Sequence, residues 1–119
     1  MSTTLCGASS YTKKYYLDPQ FDRLPQDVKD ELKIMCVTFT EDVGGILTVE
    51  FGDDKRPKFV VRVADNDDSV REQDVDGTIS KLQEDKASLM EKLGIFYRVF
   101  VLGEKAEDVL TEVEDALDS

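Results

Sequence analysis

Two adjacent carboxylates close a helical stretch in Thr40-Glu41-Asp42-Val43-Gly44-Gly45. Negative charge at the negative end of a helix costs a few tenths to about 1 kcal/mol per residue, and local rules broken in this way are sometimes functional. A second anomaly is Arg98, the single charge in the apolar run Ile95-Phe-Tyr-Arg-Val-Phe-Val-Leu102. If buried, it needs a partner. The pattern predicts that Arg98 pairs with Glu41 or Asp42 and fixes the last element against the first helix. The functional version of the same cluster is an acid pair with a cation, able to serve a small ligand or substrate beside the tyrosines.

Tyr11, Tyr15 and Tyr16 form a candidate aromatic surface, and with Phe21 and Tyr97 they are candidates to line a pocket. Core or edge packing is the commoner use of such residues. Cys6 and Cys36 form no Cys-x-x-Cys pair and no zinc spacing. A disulfide between them is conceivable, but Cys36 falls on an apolar helical face, where a buried free thiol is expected. Cys6, in Cys6-Gly7-Ala8-Ser9-Ser10, has no evident base to activate it. Asp65, Asp67, Ser69 and Asp76 match positions one, three, five and twelve of a calcium loop, but position six is Val70, where the sharp turn needs Gly. The chain has no His, which removes the commonest general base and metal ligand. No phosphate-binding Gly loop, zinc-protease motif or serine elbow is present. No catalytic residue, metal or cofactor is therefore assigned.

The chain has 119 residues, 40% hydrophobic and 34% charged, as in one globular domain with a heavily charged surface. Its net charge is −11, and the excess sits in two segments. Residues 65–76 carry 6 acids against 1 base, and residues 104–119 carry 7 against 1. Such a field repels phosphate and anionic membrane and favours cationic partners. The N-terminus has no signal-peptide pattern, and no apolar run reaches membrane-spanning length, which predicts a cytoplasmic protein.

The elements that must position these residues follow from periodicity. Residues 1–10 read as a flexible N-terminus, and residues 11–119 as a single domain. Tyr11–Leu17 is strand-like, and Asp18-Pro19 marks a turn. Val28, Leu32, Met35, Cys36, Phe39 and Val43 fall on one stripe of a helix over about 25–43, with Gly44 or Gly45 as its cap. Ile46–Phe51 and Lys58–Ala64 alternate as an antiparallel hairpin, over about 46–64. One face of it is apolar; the other carries Thr48, Glu50, Lys58 and Arg62. Residues 65–76 read as a mobile acidic connector. A second helix begins near Thr78 and runs to 93, or to 102 if Ile95–Leu102 continues it rather than forming a buried strand. The unbroken phase across Gly94 favours the helix. A third helix covers about 105–117, with Ala106, Val109, Leu110, Val113 and Leu117 as its stripe. The fold class is α+β: a small antiparallel sheet centred on the hairpin and packed against two or three helices.

Three segments together carry a resemblance: Lys14-Tyr15-Tyr16-Leu17-Asp18-Pro19, then Met35-Cys36 through Phe39-Thr40-Glu41-Asp42-Val43-Gly44-Gly45, then Phe96-Tyr97-Arg98-Val99-Phe100 with Leu102-Gly103-Glu104. They resemble a family of small uncharacterised bacterial proteins known only as a domain of unknown function. The resemblance implies a cytosolic bacterial origin and no assigned activity. The helix, Gly-Gly and hairpin over 25–64 are also similar to the opening of roadblock-type dimerisation domains. The function expected is a non-enzymatic acidic interaction module with a protein partner, which includes self-association as a homodimer. The alternatives are an inhibitor that mimics nucleic acid and a small ligand binder or enzyme using Glu41, Asp42 and Arg98. Nucleic acid and membrane are not expected partners.

Overall fold

Among the described residues, four strands and four α-helices follow in the order β1 (Thr3–Ser9), β2 (Lys14–Leu17), α1 (Gln26–Asp42), β3 (Ile46–Phe51), β4 (Pro57–Arg62), α2 (Glu72–Asp85), α3 (Ala87–Phe96) and α4 (Ala106–Asp118). They are seen in a computed structural model that describes residues 2–118, with side chains through Glu112. The architecture is α+β. The strands form one antiparallel sheet in the order β2-β1-β3-β4.

The β3–β4 hairpin pairs Glu50 with Lys58 and Val49 with Phe59, so its two faces divide as the alternation predicts. Leu47, Val49 and Phe51 turn to the core with no exposed surface. On the opposite face Arg62 donates to Glu50 at 2.7 Å, and Thr48 also donates to Glu50. These bonds, that from Arg62 foremost, hold the nearly buried Glu50 carboxyl below its ordinary pKa.

The flexible N-terminus expected for residues 1–10 is corrected. Thr3–Ser9 is a central strand, hydrogen-bonded to β2 on one side and β3 on the other, and Leu5 and Cys6 are fully buried. Its small residues are a requirement of close packing: a Cβ on Gly7 would stand 2.7 Å from Thr48 Cγ2 and 3.0 Å from the Leu47 carbonyl oxygen. The register slips between Thr4 and Cys6, and Leu5 is the extra residue of this bulge. A 3₁₀ turn over Pro19–Phe21 then drops Phe21 into the core, capped by Asp18 accepting from the Gln20 N–H. Phe21 stacks on Phe51, and Tyr97 lies parallel to Phe51 with ring centroids 4.0 Å apart.

Helix α1 packs Leu32, Met35, Cys36 and Phe39 against the sheet. It ends where Gly44 and Gly45 take φ of +95° and +78°, which side chains rarely allow. Gly45 also lies too close to the Arg62 carbonyl oxygen for a Cβ to fit at ease, at 3.0 Å.

The second helix differs from expectation in two ways. It begins at Glu72, so the acidic connector ends at Arg71; Glu72 and Asp74 sit in the first turn, where negative charge opposes the helix dipole favourably. It also breaks at Lys86, the residue that interrupts its apolar stripe, and restarts as α3. Beyond Gly94 the chain stays helical, closing with a wider π-helical turn over Tyr97–Val101 rather than a strand. Of the α4 stripe, Val109 is fully buried and Leu110 is about half exposed. The side chains of Val113 and Leu117 lie outside the described residues.

Candidate functional site: an acid-rimmed groove on the first helix

Helix α1 has more apolar surface than its core stripe requires. Ile34 lies off that stripe and is 66% exposed. Beside it runs a groove of ≈ 520 Å³ between α1 and α2. Its floor is apolar, from Ile34, Met35 and Phe39 of α1 and Leu82 of α2. Its α1 wall carries four acids, Asp27, Asp30, Glu31 and Asp42. Among the described residues the one base lining it is Lys86, whose ammonium is 3.0 Å from Glu31, so the groove's uncompensated charge is negative. The helical repeat explains the arrangement: Asp27, Glu31 and Ile34, then Thr38 and Asp42, recur every three or four residues and share one side of α1.

The residues singled out from sequence do not form one cluster. Asp42 borders the groove, and Glu41 is exposed beside it. Arg98 turns elsewhere and is corrected in its pairing. Its Nε and Nη2 bond Glu104, the latter at 2.8 Å, and its Nη1 bonds Glu112 at 2.6 Å. Both acids belong to the segment that follows, so α4 is tied to α3 and the π-helical turn, and α1 takes no part. The charged hydrogen bonds, from Glu104 first and Glu112 next, raise Arg98 further above its already high pKa. In return Arg98, with help from Lys55, lowers Glu104 to about 2.

The tyrosines separate too. Tyr11 joins the β1–β2 turn to the acidic connector, donating to Asp67 at 2.6 Å and accepting from the Ala64 N–H at 3.0 Å. Tyr16 is exposed on the outer sheet face, near Asp18. Tyr15 is on the core side, its hydroxyl buried beside the Cys6 thiol. Tyr97 is core packing within the aromatic stack.

A second cleft, of ≈ 640 Å³, separates the β3–β4 turn from α3 and α4. Lys55 reaches across it to Glu104 at 3.2 Å, and Val109 of α4 enters it. Its charges largely neutralise one another. Inside the core, Cys6 of β1 and Cys36 of α1 are both free and buried, with sulfurs 4.0 Å apart. No group of three or more potential metal-ligating side chains of the His, Cys, Asp and Glu types converges among the described residues.

A family model described as a family of unknown function (DUF6145) matches residues 2–105. The chain belongs to this family. No curated protein and no solved structure matches it. The DUF6145 match takes in the sheet, the groove and both cysteines, and it stops one residue before α4 begins. Arg98 and Glu104 are therefore inside the DUF6145 region, and Glu112 is outside it. The floor of the groove escaped sequence reading because Ile34 looks like an isolated surface residue until α2 is laid beside it. Its signal in the sequence was an isoleucine one position off the core stripe.

Proposed function

We propose that this protein is a non-enzymatic, cytoplasmic interaction module of bacterial origin, whose α1–α2 groove receives a cationic amphipathic helix from a partner protein. The observation that carries the reading is the exposed Ile34 on the lining of a groove whose other apolar residues are Met35, Phe39 and Leu82, with Asp27, Asp30 and Asp42 along the same helix. A helix laid in a groove anchors by apolar side chains at i, i+3, i+4 and i+7 and takes its orientation from charges at the rim. Here the floor supplies the apolar contact, and the rim selects basic residues beside it. The absence of a converged Glu41, Asp42 and Arg98 cluster removes the geometric support for an enzyme or ligand binder built on them. The alternative of an inhibitor that mimics nucleic acid rests on the spaced carboxylates of the tail helix and makes no use of this groove.

The test is fluorescence anisotropy with a labelled amphipathic peptide of leucines on one face and lysines on the other. Wild-type protein is expected to bind it. Ile34→Asp, at an exposed position that leaves the fold intact, is expected to weaken binding by about tenfold or more, in line with loss of a central apolar anchor. Val63→Asp, at another exposed apolar position, serves as the control. Equal affinities for the two variants sink the groove reading.

A further inference from the structure

Two separately positioned elements bring the chain's two thiols together. Cys6 lies on the core face of β1, in register with Val49 and Leu17, and Cys36 lies on the buried stripe of α1. Both side chains are fully buried, and their sulfurs are 4.0 Å apart. We propose that Cys6 and Cys36 are a redox-closable pair, which a low-molecular-weight disulfide converts to an intramolecular disulfide pinning β1 to α1. A disulfide bond is about 2.05 Å long, so each sulfur must approach the other by about 1 Å. Side-chain rotation supplies part of that travel. The bulge at Thr4–Cys6 supplies slack in the backbone next to one of the two sulfurs.

The pair also has a donor and an acceptor. Cys36, held up in pKa by its hydrogen bond to Cys6 and by burial, keeps its proton, and that bond favours the thiolate on Cys6. Cys6 is then the attacking sulfur. With glutathione disulfide as oxidant, the Cys6 thiolate attacks one glutathione sulfur, forms a mixed disulfide and releases one glutathione thiolate. Cys36 gives up its proton and attacks the Cys6 sulfur, which expels the second glutathione thiolate. Two electrons and two protons pass from the protein to two glutathione molecules, and one protein disulfide remains. Because both thiols are buried, the oxidant gains access through local opening, and mild denaturant speeds the reaction. Closure ties the central strand of the sheet to the helix that forms one wall of the groove.

The full chain is equilibrated in glutathione buffers from fully reduced to fully oxidised, with dilute urea to allow opening. One aliquot is denatured in the presence of an alkylating agent and read by intact mass, and another is read by thermal melting. The expected product is lighter by two hydrogens, carries no glutathione and resists alkylation. Its melting temperature lies roughly 5 °C or more above that of the reduced form, since the cross-link restricts the unfolded chain. Cys36→Ala is expected to stop at the mixed disulfide on Cys6, and Cys6→Ala at the free Cys36 thiol. A wild-type product that keeps its glutathione, remains fully alkylatable or melts lower once closed overturns the proposal. These readings are made on the native sequence, so they decide it even if a variant fails to fold.

Discussion

Glu104 receives Arg98 and Lys55 together, and its carboxyl is lowered from 4.5 to about 2. A group whose folded pKa lies below its unfolded one contributes stability fully above the unfolded value and loses it as pH falls through the folded value. The thermal midpoint is therefore expected to drop between about pH 4.5 and pH 2. Glu104→Gln should show a shallower fall in that window when midpoints are measured across a pH series. The Glu104 side chain is 26% exposed and therefore in reach of solvent ions, so high salt should also flatten the difference. That Arg98 needed a carboxylate was legible in its apolar surroundings. Which carboxylate was not. Glu41 and Asp42 attract notice as anomalies at a helix end, whereas Glu104 and Glu112 stand among acids that read as a solvated tail. The pairing depends on a chain reversal after Leu102, at Gly103 with φ of +76°, and residue type alone does not fix its direction.

At the scale of elements, α1 and the hairpin were legible because each shows its period within its own sequence. The strand β1 was not. Gly7 and Ala8 are disfavoured in strands by propensity, and their fit to β3 is a property of the neighbour rather than of the strand. This makes Gly7 the sensitive position. Gly7→Ala forces a methyl group against Thr48 and the Leu47 carbonyl, and it is expected to cost about 1–3 kcal/mol in denaturant unfolding. Gly77, inside α2, has nothing within 4 Å of an added Cβ. Gly77→Ala should therefore stabilise by about 0.5–1 kcal/mol through helix propensity. A Gly7→Ala variant as stable as the wild type would mean that the β1–β3 contact is looser than described. The onset of α2 at Glu72 has a similar lesson: acids that look like a linker are also favourable first-turn residues.

For the whole molecule, charge and groove act together. A field of net −11 attracts any cation over a distance that salt shortens, whereas the apolar floor acts only in contact. Binding of the leucine–lysine peptide is thus expected to weaken by about tenfold or more between about 0.05 M and 0.5 M salt without vanishing. Anisotropy titrations along a salt series check this. Complete loss of binding at high salt would assign it to the charge alone and leave the floor without a role. The composition announced the charge, but not where it meets apolar surface. That meeting requires α2 to fold back beside α1, a long-range contact absent from either helix's own pattern.

The placement of β1 also sets an order of events during synthesis. Its partner β2 follows at once, but its other neighbour, β3, pairs Ser9 with Ile46 and Thr3 with Phe51, across most of the intervening chain. Closing so long a loop is entropically slow, whereas the β3–β4 hairpin and the helices need only local contacts. β1 leaves the ribosome before β3 and waits for it. Until β3 emerges, Leu5 and Cys6 have no completed sheet to bury them, and the nascent chain presents an unpaired edge. A pause in translation before β3 has cleared the ribosome would lengthen that exposure, and one after β4 has cleared it would not.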